Sequence, residues 1–123
     1  MHDLRAVVEL NYLTNIIPAG LVVLDEHSTI LSASGRMCDI AGYEEDELLG
    51  KNIDELIPDD TPNPHQESLK HYVRNGKDPK PMKRLSDVPL QTKKGSILRV
   101  DVERYIYRTA DGDLRFGGAV RVL

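Results

Sequence analysis

The chain has 123 residues, 40% of them hydrophobic and 29% charged, with a formal net charge of −4. That length suits one domain able to bury roughly two-thirds of its unfolded surface, and the ordinary apolar content excludes a disordered chain. Acidic residues gather at Glu44-Glu45-Asp46-Glu47 while basic ones are scattered; with no continuous basic stripe to neutralise phosphates, direct nucleic-acid binding is not expected.

In chain order, Ala6, Leu10, Leu13 and Ile17 recur at spacings of four and three, which predicts an amphipathic helix ended by Pro18. Its stripe can pack on the sheet of its own domain or form a homodimer seam. Residues 1–18 are therefore read as a flanking segment and 19–123 as the domain proper. Met1 opens a charged amphipathic stretch and not a basic region followed by an apolar run, so no signal peptide is expected. Leu21-Val22-Val23-Leu24 is strand-length, far short of the ~20 residues that cross a bilayer, and no membrane insertion is expected.

Leu21 to Asp25 and Thr29 to Ala33 read as a strand hairpin around the turn Glu26-His27-Ser28. Short helices follow. Ser34 can cap a turn through Ile40, Gly42 breaks it, and Glu44 to Leu49 forms a second piece whose acidic first turn suits the positive end of a helix dipole. Gly50 stops that piece, and Asn52 to Leu56 adds one turn before Pro58. Asn63-Pro64-His65-Gln66 then supplies an N-cap, a proline at the first helical position and a glutamine three residues past the cap, opening a longer helix that Asn75-Gly76 ends.

From Lys80 the period changes to two. Met82 to Thr92, Ser96 to Arg108 and Leu114 to Leu123 read as strands, with turns at Lys93-Lys94-Gly95 and Asp111-Gly112. Leu98, Val100, Val102 and Ile106 share one face of the middle strand; Arg99, Asp101, Glu103, Tyr105 and Tyr107 share the other. Pro89 cannot donate to a ladder, so its strand belongs at a sheet edge. The order of elements predicts an α+β fold, an antiparallel sheet with helices on one face.

These residues resemble the PAS family. The resemblance rests on Ile40-Ala41-Gly42-Tyr43, Glu47-Leu48-Leu49-Gly50-Lys51, Ile53 and Leu56-Ile57-Pro58, supported by Lys93-Lys94-Gly95 and by Phe116-Gly117-Gly118-Ala119-Val120-Arg121. Ser34 departs from the asparagine the family commonly carries, although serine also caps helices. What the resemblance implies is a five-stranded antiparallel sheet, with Thr29 to Ala33 at one edge and the Pro89 strand at the other, and a sensory module of a histidine kinase or diguanylate cyclase. Such a module binds a small ligand or dimerises, and its effector domain lies beyond the C-terminal strand.

The implied ligand pocket draws on His65, Leu69, Tyr72, Met82, Arg84, Val100, Arg104 and Phe116. His65 shares a helical face with Leu69, Tyr72 and Val73. Haem-binding oxygen sensors of the family use a histidine in this helix as axial ligand, an arginine on the distal side and in some cases a methionine as sixth ligand; His65, Arg84 and Met82 look like those positions. The plainer reading of His65 is a partly buried imidazole hydrogen-bonded to a neighbour. Light-oxygen-voltage domains, a branch of the family, resemble Gly-Arg-Asn-Cys where this chain has Gly50-Lys51-Asn52-Ile53. Isoleucine cannot form the thiol adduct, which excludes a flavin photoadduct here.

Arg104 interrupts an apolar strand face. It is either turned outward by a bulge or ion-paired with an acidic neighbour, which the rarity of inward arginines favours, or it points inward and binds an anion such as a carboxylate. Cys38, the single cysteine, rules out an intrachain disulfide and suits a reducing, cytoplasmic setting; it reads as a small buried hydrophobe. With no nucleophile–histidine pair, phosphate loop or histidine pair at metal spacing, no enzyme is expected.

Overall fold

The computed structural model describes residues 17–59, the backbone of 80–81, and 84–123. Strands β1 (Gly20–Leu24) and β2 (Ile30–Ala33) are followed by helices α1 (Gly35–Ala41) and α2 (Glu45–Leu48), a 3₁₀ turn Ile53–Leu56, and strands β3 (Lys80–Pro81), β4 (Leu85–Gln91), β5 (Ile97–Arg108) and β6 (Leu114–Val122). The expected N-terminal helix and the longer helix opening at Asn63 lie outside the described residues.

All strands pair antiparallel in one sheet of order β2-β1-β6-β5, with β3 and β4 running one after the other along the far side of β5. The sheet is thus five strands wide. β2 forms one edge and the Pro89 strand the other, where the missing donor of proline costs no ladder bond. The β2 edge is closed off: Ile30 N donates to the Lys51 carbonyl at 2.9 Å and Gly50 N to the Ile30 carbonyl at 2.9 Å, so the chain leaving α2 satisfies groups that would otherwise template aggregation.

Capping side chains set the short helices. The Ser34 hydroxyl accepts from Met37 N at 3.3 Å and from Leu21 N at 2.9 Å, fixing the start of α1 to β1. Gly42 ends α1 at a φ of 78°, a left-handed position that glycine adopts without strain. Glu44 and Glu47 form a capping box at α2, and Asn52 and Glu55 form another at the 3₁₀ turn. Gly20 permits the closest packing of helix on sheet: a Cβ there would lie 2.8 Å from the Met37 Cα.

One face of the sheet is apolar and covered. Val22, Leu24, Ile30, Met37, Leu48, Leu56, Leu90, Val100, Ile106, Phe116 and Val120 are buried in a single cluster, and removing such side chains from water is the main stabilising term. Phe116 is the only phenylalanine of the chain and is fully buried.

Candidate functional site

Strand β5 crosses the middle of the sheet and sends its even-numbered side chains to the covered face. Arg104 is among them. It is 9% exposed, and the β5–β6 register runs unbroken from Val100 opposite Val122 to Arg108 opposite Leu114, placing Arg104 across from Gly118. No bulge turns it outward, so the part of the expectation that invoked a bulge at Arg104 is corrected: the register irregularity of this neighbourhood lies on β4, between Leu85 and Val88.

Between the sheet and the short-helix cradle lies a cavity of about 110 Å³. Val22 and Leu24 of β1, Val100, Val102 and Arg104 of β5, and Phe116, Gly118 and Val120 of β6 form its floor. Met37, Ile53, Leu56 and Ile57 roof it, and Leu85, Val88, Pro89 and Leu90 close the edge. Every described lining residue except Arg104 is apolar or glycine. Gly118, the backbone partner of Arg104, leaves room beside two valines: a Cβ there would come within 3.3 Å of Val22 Cγ1 and 3.8 Å of Val102 Cγ1.

The structure brings together three of the residues expected to form the pocket, Val100, Arg104 and Phe116. Arg84 does not join them. It stands on the opposite face, 52% exposed at its side chain, with its guanidinium 2.5 Å from the Asp101 carboxylate. His65, Leu69, Tyr72 and Met82 lie outside the described residues. Sequence reasoning missed the roof, although Ile53, Leu56 and Ile57 follow a readable cap at Asn52, and it missed Gly118, whose role depends on which strand it faces.

The outer face is chemically different. Asp101 accepts from Arg84 and, at 2.9 Å, from the backbone N–H of Asp87, while Asp87 accepts from Arg99 Nε at 2.9 Å. The Asp87 N–H first, then Arg84, hold the Asp101 carboxyl below the usual range. Asp87 adopts a left-handed φ of 52° at the β4 irregularity, a conformation aspartate tolerates better than most residues. Alongside runs an open groove of about 690 Å³ bordered by Leu21, Val23, Tyr105 and Ala119.

A separate tie joins α2 to the β4–β5 turn. Lys93 Nζ lies 2.6 Å from Glu47 Oε2, and Lys93 N donates to the Ala41 carbonyl at 3.0 Å. Their hydrogen bond lowers the pKa of Glu47 and raises that of Lys93. Cys38 is half-buried beside the core but does not line the cavity. Burial first, then the carboxylates of Glu45, Asp39 and Glu44, push its thiol up, leaving little nucleophilic thiolate at neutral pH. Among the described residues no group of three or more His, Cys, Asp or Glu side chains could hold a metal ion, and no helix is long and apolar enough to cross a membrane.

Comparison with known proteins agrees with this geometry. A family model described as the PAS fold matches residues 2–123. The PAS domain of an HTR-like protein from Haloarcula marismortui superposes with a TM-score of 0.78 at 23% identity, covering 97% of this chain and 93% of that one. A domain of a sensory box sensor histidine kinase/response regulator from Geobacter sulfurreducens gives 0.66 at 22%, covering 94% and 93%. A light-oxygen-voltage domain studied with a flavin analogue gives 0.69 at 20%, covering 98% and 86%. At these identities the likeness is one of fold. No curated protein matches the chain.

Proposed function

The chain belongs to the PAS family, and on that premise we propose that it is the ligand-receiving sensory module of a signal-transduction protein. The observation that carries the ligand reading is the cavity of about 110 Å³ under the short-helix cradle, apolar but for Arg104. As a PAS domain the chain is a sensor and not itself a catalyst. The output partner we assign it is a C-terminal effector such as a histidine kinase or diguanylate cyclase, by analogy with the sensor histidine kinase named for the Geobacter neighbour, and a cytoplasmic setting accords with the single free thiol.

The cavity suits a compact ligand better than a macrocycle. Small-molecule pockets run from roughly 300 Å³ upward, and an empty apolar site of ~150 Å³ holds a ligand the size of benzene. The haem alternative with His65 as axial ligand fits the described residues poorly: the volume is too small for a porphyrin, and Arg84 is engaged with Asp101 on the other face. Flavin adduct chemistry finds no thiol on the cavity, where Ile53 stands.

Isobutene, a four-carbon ligand smaller than benzene, tests the ligand reading. At about ten times its Kd it should raise Tm by roughly 5 °C. An unchanged Tm with isobutene and with propane alike removes the cavity as a ligand site.

The proposed partner copy is a homodimer mate bound through residues 1–18. Its support is the stripe Ala6, Leu10, Leu13 and Ile17 and the outer groove beside Leu21, Val23 and Ala119. Light scattering that returns a monomer at every concentration, for wild type and Leu10→Asp alike, would remove it.

A further inference from the structure

The roof of the cavity is fastened to the β1–β2 turn. Ile53 and Leu56 sit on the 3₁₀ turn Ile53–Leu56, and Ile57 follows it. Ile53 N donates to the Ser28 carbonyl at 3.0 Å and Asn52 Nδ2 to the His27 carbonyl at 3.0 Å. Asn52 also pairs with Thr29 as an isolated antiparallel bridge. We propose that this 3₁₀ turn is the lid of the cavity and that Ser28 is the joint on which it opens. Passage of ligands through the lid rests on the ligand reading above; the opening itself does not.

Ser28 carries two costs in the closed state. Its φ of 68° is left-handed, a region where a Cβ crowds the backbone. Its side chain is fully buried and Oγ makes no hydrogen bond, so the desolvation of the hydroxyl is uncompensated. Such a conformation persists only where its surroundings over-determine it. Here they do: Ser28 N donates to the Asp25 carbonyl at 3.1 Å, Asp25 N to the Thr29 carbonyl at 3.0 Å, and Asp25 Oδ1 accepts from His27 N at 2.8 Å and from Thr29 N at 2.9 Å. Glycine would carry neither cost at this position.

Opening relieves those costs. Once the 3₁₀ turn lifts from the β1–β2 turn, the Ser28 hydroxyl reaches water and its carbonyl is no longer pinned by Ile53. Serine therefore raises the population of the open state relative to glycine. Apolar burial closes the lid again, because Leu56 is buried and Ile53 packs against the core cluster. The ladders that join β1 to β2 and to β6 take no part in the attachment, so the opening is local and leaves the sheet paired.

Amide hydrogen exchange of the folded chain tests the proposal. In the wild type the Ile53 N–H should exchange roughly tenfold or more faster than the slowest amides of β5 and β6. Ser28→Gly should slow exchange at Ile53 by roughly tenfold, as removal of a buried unsatisfied hydroxyl implies. Asn52→Ala, which deletes the tie to the His27 carbonyl, should quicken it. An Ile53 amide as protected in the wild type as those strands, or protection unchanged by Ser28→Gly, overturns the lid. Isobutene exchange followed by NMR reads the passage of ligand: Ser28→Gly should slow binding and release by the same factor and leave Kd unchanged. Unaltered isobutene kinetics beside altered protection would overturn the lid as the ligand's route. Absence of isobutene binding, together with the tenfold gain in protection at Ile53, would remove the ligand reading and support the lid as a moving part of the fold.

Discussion

Two of the three arginines of strand β5, Arg99 and Arg104, stand five residues apart, and the two-residue period of a strand sends them to opposite faces of the sheet. Arg99 meets solvent and donates to both the carboxylate and the carbonyl of Asp87, whose own N–H donates to the Asp101 carboxylate that Arg84 also binds. Arg104 is 9% exposed; it lines the inner cavity and also borders the open groove. The same side chain therefore does two jobs. On the outer face its charge is screened and shared among partners, where an ion pair is worth about 0–1 kcal/mol. On the inner face a charge is costly to bury and depends on close partners to hold it there.

The largest expected effect sharpens the inner side of this contrast. Phe116→Ala removes the one phenylalanine from the cavity floor and should cost about 3–5 kcal/mol of unfolding free energy, read from denaturant midpoints at constant m. A loss under 1 kcal/mol would mean that the inner face is not close-packed around the cavity. Next comes Gly20→Ala, which forces a Cβ to 2.8 Å from the Met37 Cα and should destabilise by roughly 1–3 kcal/mol as α1 is pushed off the sheet. An unchanged midpoint would show that α1 shifts freely.

On the outer face the effects should be small. Arg99→Ala, measured in the same way, should change stability by less than about 1 kcal/mol; a loss comparable with that of Phe116→Ala would break the comparison.

Acid provides the smallest and most diagnostic signal. Glu47 and Asp101 have folded pKa values below their ordinary 4.5 and 3.8. Each contributes stability that is present above those ordinary values and lost as pH falls through the lower folded ones. Lys93, raised above 10.5, contributes at neutral pH and loses that contribution only as pH rises past its folded value. The stability gap between wild type and Glu47→Gln should therefore be open at pH 7 and narrow steadily as pH falls below 4.5. A gap that widens in acid would contradict the Glu47–Lys93 tie.

What the sequence disclosed, it disclosed through local signals. Ser34 as a cap, Gly42 and Gly50 as stops, and the alternation of β5 need only neighbours a few positions away. Pro89 announced an edge because its missing donor is a property of the residue itself. The elements around the cavity followed from these. The direction of Arg104 did not, since it depends on whether β5 and β6 stay in register over nine pairs, a matter settled between strands. Arg84 was misplaced for a related reason. The irregularity on β4 and the left-handed Asp87 rotate that edge so that Arg84 finds Asp101 on the outer face, and no local pattern marks such a twist. The role of Gly118 was equally hidden, because a glycine in a strand gains meaning only from what faces it.

The measurement that bears most directly on the two-faced account is a methyl-resolved NMR titration with isobutene. The account predicts shifts at the methyls of Val22, Val100 and Val102 on the covered face, with Leu21, Val23 and Ala119 on the outer face unmoved. Shifts confined to the outer methyls, or none at all at millimolar isobutene, would contradict it.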